Sequence, residues 1–311
     1  MNKSFDPDGL QFAWDSTSLK LAETCLRKYQ YKLIFGWQPE RKSVHLLFGG
    51  WYASALESYY KYVAEGMSSD EALAEVVGEA LVETWEFDFD EAGEPIENTG
   101  RPWTSDHNTK TRENLIRTIV WYLDQFGEDD SCSTVILSSG QPAVEHSFRL
   151  EWDNDIIYCG HLDRMVEYGN NIYIQDQKTT QSTITSRYFD GYNPDSQMSG
   201  YTFAGKALFG IPIKGIMIDA AQIAVGFTRF ERGFTFRDDG QLNEWYDNSM
   251  YYIERARQAT RDNHFPLNPS SCSQYGGCEF RHICSKAPSV REQFLKGDFV
   301  KGKRWDPLEV R

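Results

Sequence analysis

Long apolar runs are missing from this 311-residue chain: no window stays hydrophobic for the length of a bilayer span, which argues against membrane-crossing helices. The opening Met1-Asn-Lys-Ser-Phe-Asp6 has no signal-peptide pattern, so a cytoplasmic location is expected, the host's if the protein is a phage's. Positive charge is scarce. Lys and Arg total 32 against 46 Asp and Glu, for a net charge of -14, so a uniformly basic nucleic-acid binder is excluded. A basic groove or bound metal ions can still create a positive field locally. The phosphate-cradling pattern Gly-x4-Gly-Lys-[Ser/Thr] is also absent, so any ATP-driven motor is a separate partner. Six Cys in a chain with no secretory signal do not suggest a disulfide framework, and their spacing becomes informative instead.

What is present divides one domain, 1–311, into three parts. Residues 16–140 are mainly helical. Leu19, Ala22, Cys25, Leu26 and Tyr29 recur at helical spacing over 16–34, and 44–64 forms a second helix entered through Phe48-Gly49-Gly50. Ser68 with Glu71 three residues on is a capping box that starts a third, with Leu73, Val76, Val77, Ala80 and Leu81 on one face. The acidic stretch Glu83–Glu94 opens a loop over 85–107, and 109–126 is helical again. Residues 141–262 change character. Ala143–Glu151, Ile156–Tyr168 and Asn171–Lys178 are short, rich in β-branched and aromatic residues, and separated by Asp153-Asn154-Asp155 and Gly169-Asn170-Asn171, the signature of an antiparallel meander. A helix at Asp195–Leu208, strands at Lys214–Val225 and Phe227–Arg237, and a helix over 240–262 follow. The last part, 263–311, is irregular and holds three Cys. The fold class is therefore mixed α/β, with helix, three strands, helix and strand as its central order.

The two final strands of the meander carry Gly160-His161-Leu162-Asp163-Arg164 and Asp176-Gln177-Lys178. Residues two apart in a strand share a face, so Asp176 and Lys178 point the same way, and Asp163 can come opposite them. Two carboxylates in an apolar strand setting are costly unless paired, and hard oxygens suit Mg²⁺ or Mn²⁺. Taken alone, Asp-x-Lys is a weak signal, and an ordinary cross-strand ion pair explains it better. Gln197 and Tyr201, one turn apart on the next helix, and Glu57 on the upstream helix extend the pattern.

Together these residues resemble the RecB-like branch of the PD-(D/E)xK nucleases, over Ser18 to Cys284. The resemblance implies a restriction-endonuclease-like αβββαβ core with an N-terminal helical insertion. It implies that Asp163, Asp176 and the Gln177 carbonyl hold Mg²⁺ or Mn²⁺, that Lys178 and Glu57 belong to the catalytic set, and that Gln197, Tyr201 and Arg164 contact DNA. In one place the sequence departs from the family. Where a metal-binding His is usual, four residues before Glu57, stands Ala53. His45 lies eight residues upstream of Ala53, roughly 12 Å along a helix, and Glu145 and His146 on the first meander strand are alternatives.

The trio Cys272-x5-Cys278-x5-Cys284, with Cys25 far upstream, resembles the four-Cys arrangement of the iron–sulfur RecB-like nucleases, AddB-type and CRISPR-associated. That resemblance implies a 4Fe–4S cluster joining the two ends of the chain, with Zn²⁺ as the alternative for four thiolates. Cys132 and Cys159 fit no ligand spacing, and His282 is a competing ligand inside the trio. Arg27, Lys28, Lys32, Arg281 and Lys286 would then form a basic rim beside the cluster, with Arg187 near the catalytic strands. The expected function is metal-dependent cleavage of DNA, as an exonuclease or on single-stranded ends, in repair, recombination or replication, with a separate helicase or recombination partner. The alternative is a catalytically silent DNA- or partner-binding module that keeps the fold.

Overall fold

A computed structural model describes residues 4–6, 9–90, 94–96, 99–129, 131–153, 155–208, 210–302 and 305–309. Glu91–Gly93 of the acidic loop and Asn154 of the first meander turn lie outside the described residues.

The chain enters through a two-residue strand, β1 (Ala13–Trp14), and Asp15 caps α1 (Ser16–Thr24) by a reciprocal bond with Ser18. The sequence predicts one helix over 16–34, but it breaks at Cys25, whose backbone is extended, and resumes as α2 (Leu26–Tyr29) and a turn of π-helix. A short strand, β2 (Trp37–Pro39), leads to α3 (Val44–Ala64), and α4 (Ser69–Glu83) begins at the expected Ser68–Glu71 capping box. The loop contains a small hairpin, β3 (Trp85–Glu86) with β4 (Arg101–Pro102), before α5 (Arg112–Phe126), capped by Thr111.

The sheet follows: β5 (Cys132–Thr134), β6 (Val144–Trp152), β7 (Ile156–Tyr168) and β8 (Asn171–Thr180). Helices α6 (Ser186–Asp190) and α7 (Ser196–Leu208) cross over to β9 (Ile213–Ile223), and β10 (Thr228–Thr235) turns back on it. Helix α8 (Asp239–Arg261) closes the domain. The C-terminal part is less irregular than its sequence suggests. It holds α9 (Arg281–Cys284), α10 (Arg291–Asp298) and β11 (Phe299–Lys301), which pairs antiparallel with β2.

Strands β6, β7 and β8 form the predicted antiparallel meander, and β8 runs parallel to β9, as the α6–α7 crossover requires. One sheet face packs on α1, α7 and α8 through Leu19, Ala22, Met198, Tyr201 and Ile253 against Tyr158, Leu162, Ile174 and Ile216. The other packs on α3, α4 and α5 through Phe48, Tyr52, Leu56, Val76 and Ile119 against Val144, Ala221 and Ile223. The mixed α/β sandwich and the αβββαβ order match the sequence reading. Among the described residues, no helix is long and apolar enough to cross a membrane.

Candidate active site

The site sits at a fork in the sheet. Strand β7 pairs with β8 from Tyr168 back to Arg164, opposite Gln175. Near its start the parallel strand β1 pairs with Ile157 and Tyr158. Between these stretches β7 and β8 part. The side chain of Asp163 enters the gap, and its Oδ2 accepts the Gln177 N–H at 3.0 Å. A carboxylate thus takes the role of a backbone carbonyl where the ladder opens. The β6–β7 register also skips the Glu145/Asp163 pair, and Glu145 there has φ 45, a left-handed conformation that a non-glycine residue rarely adopts.

Asp176, on the apolar face of β8, is 1% exposed. Its Oδ2 has the Lys178 ammonium 2.5 Å away but no well-directed hydrogen bond. Lys178 Nζ donates to Gln197 Oε1 at 3.2 Å, and Gln197 Nε2 donates to the Tyr201 hydroxyl at 3.0 Å. Helical spacing on α7 makes that last contact possible. Asp195, at the start of α7, accepts the Met198 N–H and adds its charge to the field at Asp176 and Lys178.

The electrostatics follow from burial of like charges. Desolvation, then repulsion by Asp176, pushes the Asp163 carboxyl up to about 7, and Glu145 adds a smaller push. Asp176 is raised by burial, against the pull of Lys178. Burial opposes the charge on Lys178, but Asp176 and then Asp163 outweigh it, so its pKa rises above the ordinary lysine value. Lys178 is therefore a permanent cation near neutral pH. Tyr201 is held well above the ordinary phenol value by burial and by both carboxylates, so it stays protonated.

Asp163, Asp176, Lys178, Gln197 and Tyr201 are thus brought together. Three expectations are corrected. Glu57 is not brought to the carboxylates: its Oε1 lies 2.5 Å from Lys61 Nζ, one turn on, because α3 turns Leu56, Tyr59 and Tyr60 inward and leaves Glu57 on its flank. Besides Asp176, the carboxylate whose charge is felt at Asp163 is Glu145. Arg164 points to the opposite face, into the protein. It is 5% exposed, its Cζ lies 3.4 Å from the Tyr60 ring centroid, and it donates to Gln175 Oε1, Thr134 Oγ1 and the Cys132 carbonyl. The basic rim is also weaker than its composition, since Lys28 and Lys32 both pair with Glu279. His45 stacks edge-on with His107 rather than approaching the carboxylates.

The donor set fits one hard divalent cation. It offers two mutually repelling carboxylates, an unsatisfied oxygen on Asp176, and the adjoining Gln177 backbone. Mg²⁺ commonly takes only one or two carboxylates and keeps several waters.

The Cys-rich seam joins the two ends of the chain. The Asn268 N–H donates to Cys25 Sγ at 3.4 Å, Cys272 Sγ donates to the Asn268 carbonyl at 3.7 Å, and Asn268 Nδ2 donates to the Thr24 carbonyl. Cys278 and Cys284 pack beside Tyr31, Trp37, Phe280 and Phe299. Burial raises the Cys284 thiol, and Cys25 and Cys278 add to that rise, so the thiols sense one another. All four are partly exposed free thiols, whereas Cys132 and Cys159, which fit no ligand spacing, are buried. His282 pairs instead with Asp298. Among the described residues, no three Cys, His, Asp or Glu side chains are drawn close enough to share a metal ion.

The family model of the PD-(D/E)XK nuclease superfamily matches residues 14–285, a span that holds β2 to β10 and all four cysteines, Cys25, Cys272, Cys278 and Cys284. No curated protein matches the sequence. In fold the chain is similar to a solved structure from Eubacterium rectale described as "Putative exonuclease", at 12% identity and a TM-score of 0.50, over 89% of each chain. At that identity the likeness is one of fold alone.

Proposed function

The chain belongs to the PD-(D/E)XK nuclease superfamily, and on that premise we propose that it is a metal-dependent DNA nuclease with Asp163, Asp176 and Lys178 at its centre. The observation that carries this reading is the contact chain Asp176–Lys178–Gln197–Tyr201 beside Asp163 at the fork of β7 and β8. Nucleases of this superfamily generally use Mg²⁺ or Mn²⁺. Asp163, Asp176 and the Gln177 carbonyl would hold the ion. When bound, it supplies positive charge against that developing on the scissile phosphate. Lys178, always protonated, orients a water rather than removing its proton. Gln197 fixes the Lys178 ammonium, and Tyr201 buttresses Gln197. Burial of Asp176 keeps bulk water from competing for its oxygens.

The cysteines form the second part of the proposal. Cys25, Cys272, Cys278 and Cys284 would hold a 4Fe–4S cluster, or Zn²⁺, at the seam between α1–α2 and the C-terminal part. Support comes from the shared Asn268 contacts and the mutual influence of the thiols. Action from DNA ends, single-strand preference, and work beside a helicase or recombination partner in repair belong to the same reading.

The test is digestion of end-labelled linear and circular DNA with Mg²⁺ or Mn²⁺, comparing wild type with Asp176→Ala and Lys178→Ala. Equal cutting by all three would refute the assignment. A second reading, a silent binding module, is favoured by Ala53 and by the pairing of Glu57 with Lys61. Metal-dependent cleavage by pure wild-type protein, lost in Asp176→Ala, would remove it.

A further inference from the structure

The face of β8 that carries Asp176 and Lys178 does not end with them. By strand parity it continues to Thr180, about 7 Å beyond Lys178 at the usual rise. The chain then turns through α6 and lays two tyrosines beside this face. Tyr188 and Tyr192 share a hydrogen bond between hydroxyls at 2.9 Å, with their rings edge-on at 5.6 Å. The charges of Lys178 and Asp176 both act on Tyr188, and those of Asp176 and Asp195 on Tyr192. The Lys178 side chain is 27% exposed, and Thr180 and Tyr188 are half-buried, so solvent reaches this end of the face.

The tyrosine pair is held from the far side. Gly233 on β10 faces the Phe189 ring so closely that any Cβ there would run into it, so the ring seats on bare backbone. The Tyr192 carbonyl accepts from Arg237 Nη2 at 2.7 Å and from Thr235 Oγ1 at 3.3 Å. These contacts fix α6 and the turn after it against β10 without drawing on Lys178 or Asp176.

The hydroxyls can be accounted for one by one. Whichever phenol donates in the shared bond, the pair keeps one O–H unspent. Thr180 Oγ1 accepts the Ser182 N–H at 3.0 Å, which leaves its own O–H to donate elsewhere. Burial raises the Tyr188 pKa, against bonds from Tyr192 and Thr180 that lower it, as donors do. Tyr192 is raised by burial and then by its bond to Tyr188, as the donor is. The Tyr188 oxygen therefore accepts from both, and its own proton, kept at neutral pH, has no other acceptor among the described residues. Lys178 Nζ, by contrast, is already engaged by Asp176 and Gln197.

We propose that Tyr188 is a substrate-contact residue whose O–H donates to a non-bridging oxygen of the phosphate next to the scissile one, on the Thr180 side, with Tyr192 as its positioning residue. This rests on the nuclease reading, which brings the scissile phosphate to Asp163 and Asp176. A strand running along β8 would pass Thr180 and Tyr188 one backbone repeat later. A neutral donor there holds the strand without competing with the metal ion for the carboxylates.

The experiment is cleavage, with Mn²⁺, of short end-labelled oligonucleotides that each carry one uncharged methylphosphonate at a different linkage near the cut. Wild type and Tyr188→Phe are compared, with thermal melting of both. Tyr188→Phe keeps the ring and removes the O–H. It is expected to melt as wild type and to lower kcat/KM on the unmodified strand about tenfold, through KM more than kcat. On the strand modified at the phosphate adjoining the cut, variant and wild type should perform alike, whereas at other linkages the two losses should multiply. Tyr192→Phe should show the same dependence on position at about threefold. Losses that multiply at every linkage overturn the proposal, as does unimpaired cleavage by Tyr188→Phe. A merely structural tyrosine would lower the melting temperature and reduce cleavage of all strands alike, which also overturns it. If wild type cuts nothing, the same strands are used for binding in EDTA, read by anisotropy. Coupling of Tyr188 to one linkage in Kd would then keep the phosphate contact while the nuclease reading falls, and its absence would remove both. Cleavage without any such coupling leaves the nuclease reading standing and removes the contact.

Discussion

Lys178 reaches from β8 to Gln197 on α7, with 3.2 Å between Nζ and Oε1, while Asp176 Oδ2 lies 2.5 Å from the same nitrogen. The ammonium is therefore held from two sides, by the strand that carries it and by the helix that follows. Lys178→Met removes the charge and should lower single-turnover cleavage by about 10²–10³, the usual effect of deleting one preorganised electrostatic group. Gln197→Ala leaves Asp176 in place and should cost less, about three- to tenfold, with the loss in rate rather than in oligonucleotide Kd. Cleavage by Lys178→Met at the wild-type rate would show that the ammonium takes no part. Because the Lys178 pKa is raised, the rate should show no loss from its titration up to pH 9.

The carboxylate pair makes a pH prediction whose sign can be worked out. The folded-state pKa of Asp163 is pushed up to about 7, above that of an unfolded aspartate. Between these values the folded metal-free protein binds more protons than the unfolded chain, so stability falls as pH rises towards 7. The contribution is fully present at acid pH and lost above the folded pKa. Asp163→Asn keeps an oxygen for the Gln177 N–H but carries no charge. In EDTA at pH 8 it should melt above wild type by about 2–4 °C, with the difference fading towards pH 4. A variant less stable than wild type at every pH would contradict the reading that the pair is strained without metal.

Much of this site was legible in the sequence because its spacings are local. Asp176 and Lys178 share a face by strand parity, and Gln197 and Tyr201 by one helical turn. The fork was not legible, because it depends on register between strands. Leu162 and Met165, three apart, enter the same core, so the alternation slips at Asp163 and sends Arg164 to the opposite face. Glu145 was visible only as one of several acids. Its influence on Asp163 arises from an interruption in pairing that no single strand encodes. The break at Cys25 was hidden for a similar reason: helical periodicity runs through it, and the extended backbone is supported by contacts from residues near 266–268.

Arg164 supplies a contrasting prediction. Its guanidinium stacks on Tyr60 and satisfies Gln175, Thr134 and the Cys132 carbonyl. Gln175 in turn reaches Asp219, which also accepts from Tyr122 and Arg232. Arg164→Met would leave buried acceptors without donors and Asp219 with less positive charge nearby. It should destabilise the fold by about 3 kcal/mol, as broken buried networks do. Oligonucleotide Kd, measured well below the melting temperature, should be unchanged. A loss of affinity without loss of stability would instead restore Arg164 to a DNA-contacting role.

The cysteine seam is also joined by the pairing of β2 with β11, the Lys28–Glu279 ion pair and the Arg27 bond to the Phe265 carbonyl. A cluster there would add to an existing joint. Anaerobically purified protein is expected to be brown, with visible absorption and about four iron per chain for a 4Fe–4S cluster. Cys25→Ser should bleach it as fully as Cys278→Ser, although the two residues lie at opposite ends of the chain. Chelation should lower the melting temperature while leaving secondary structure largely intact, since β2, β11 and α10 remain paired. A colourless protein with stoichiometric zinc would replace iron by Zn²⁺. Retention of full colour in Cys25→Ser would separate the N-terminal helix from the site and leave the C-terminal trio to find its fourth ligand elsewhere.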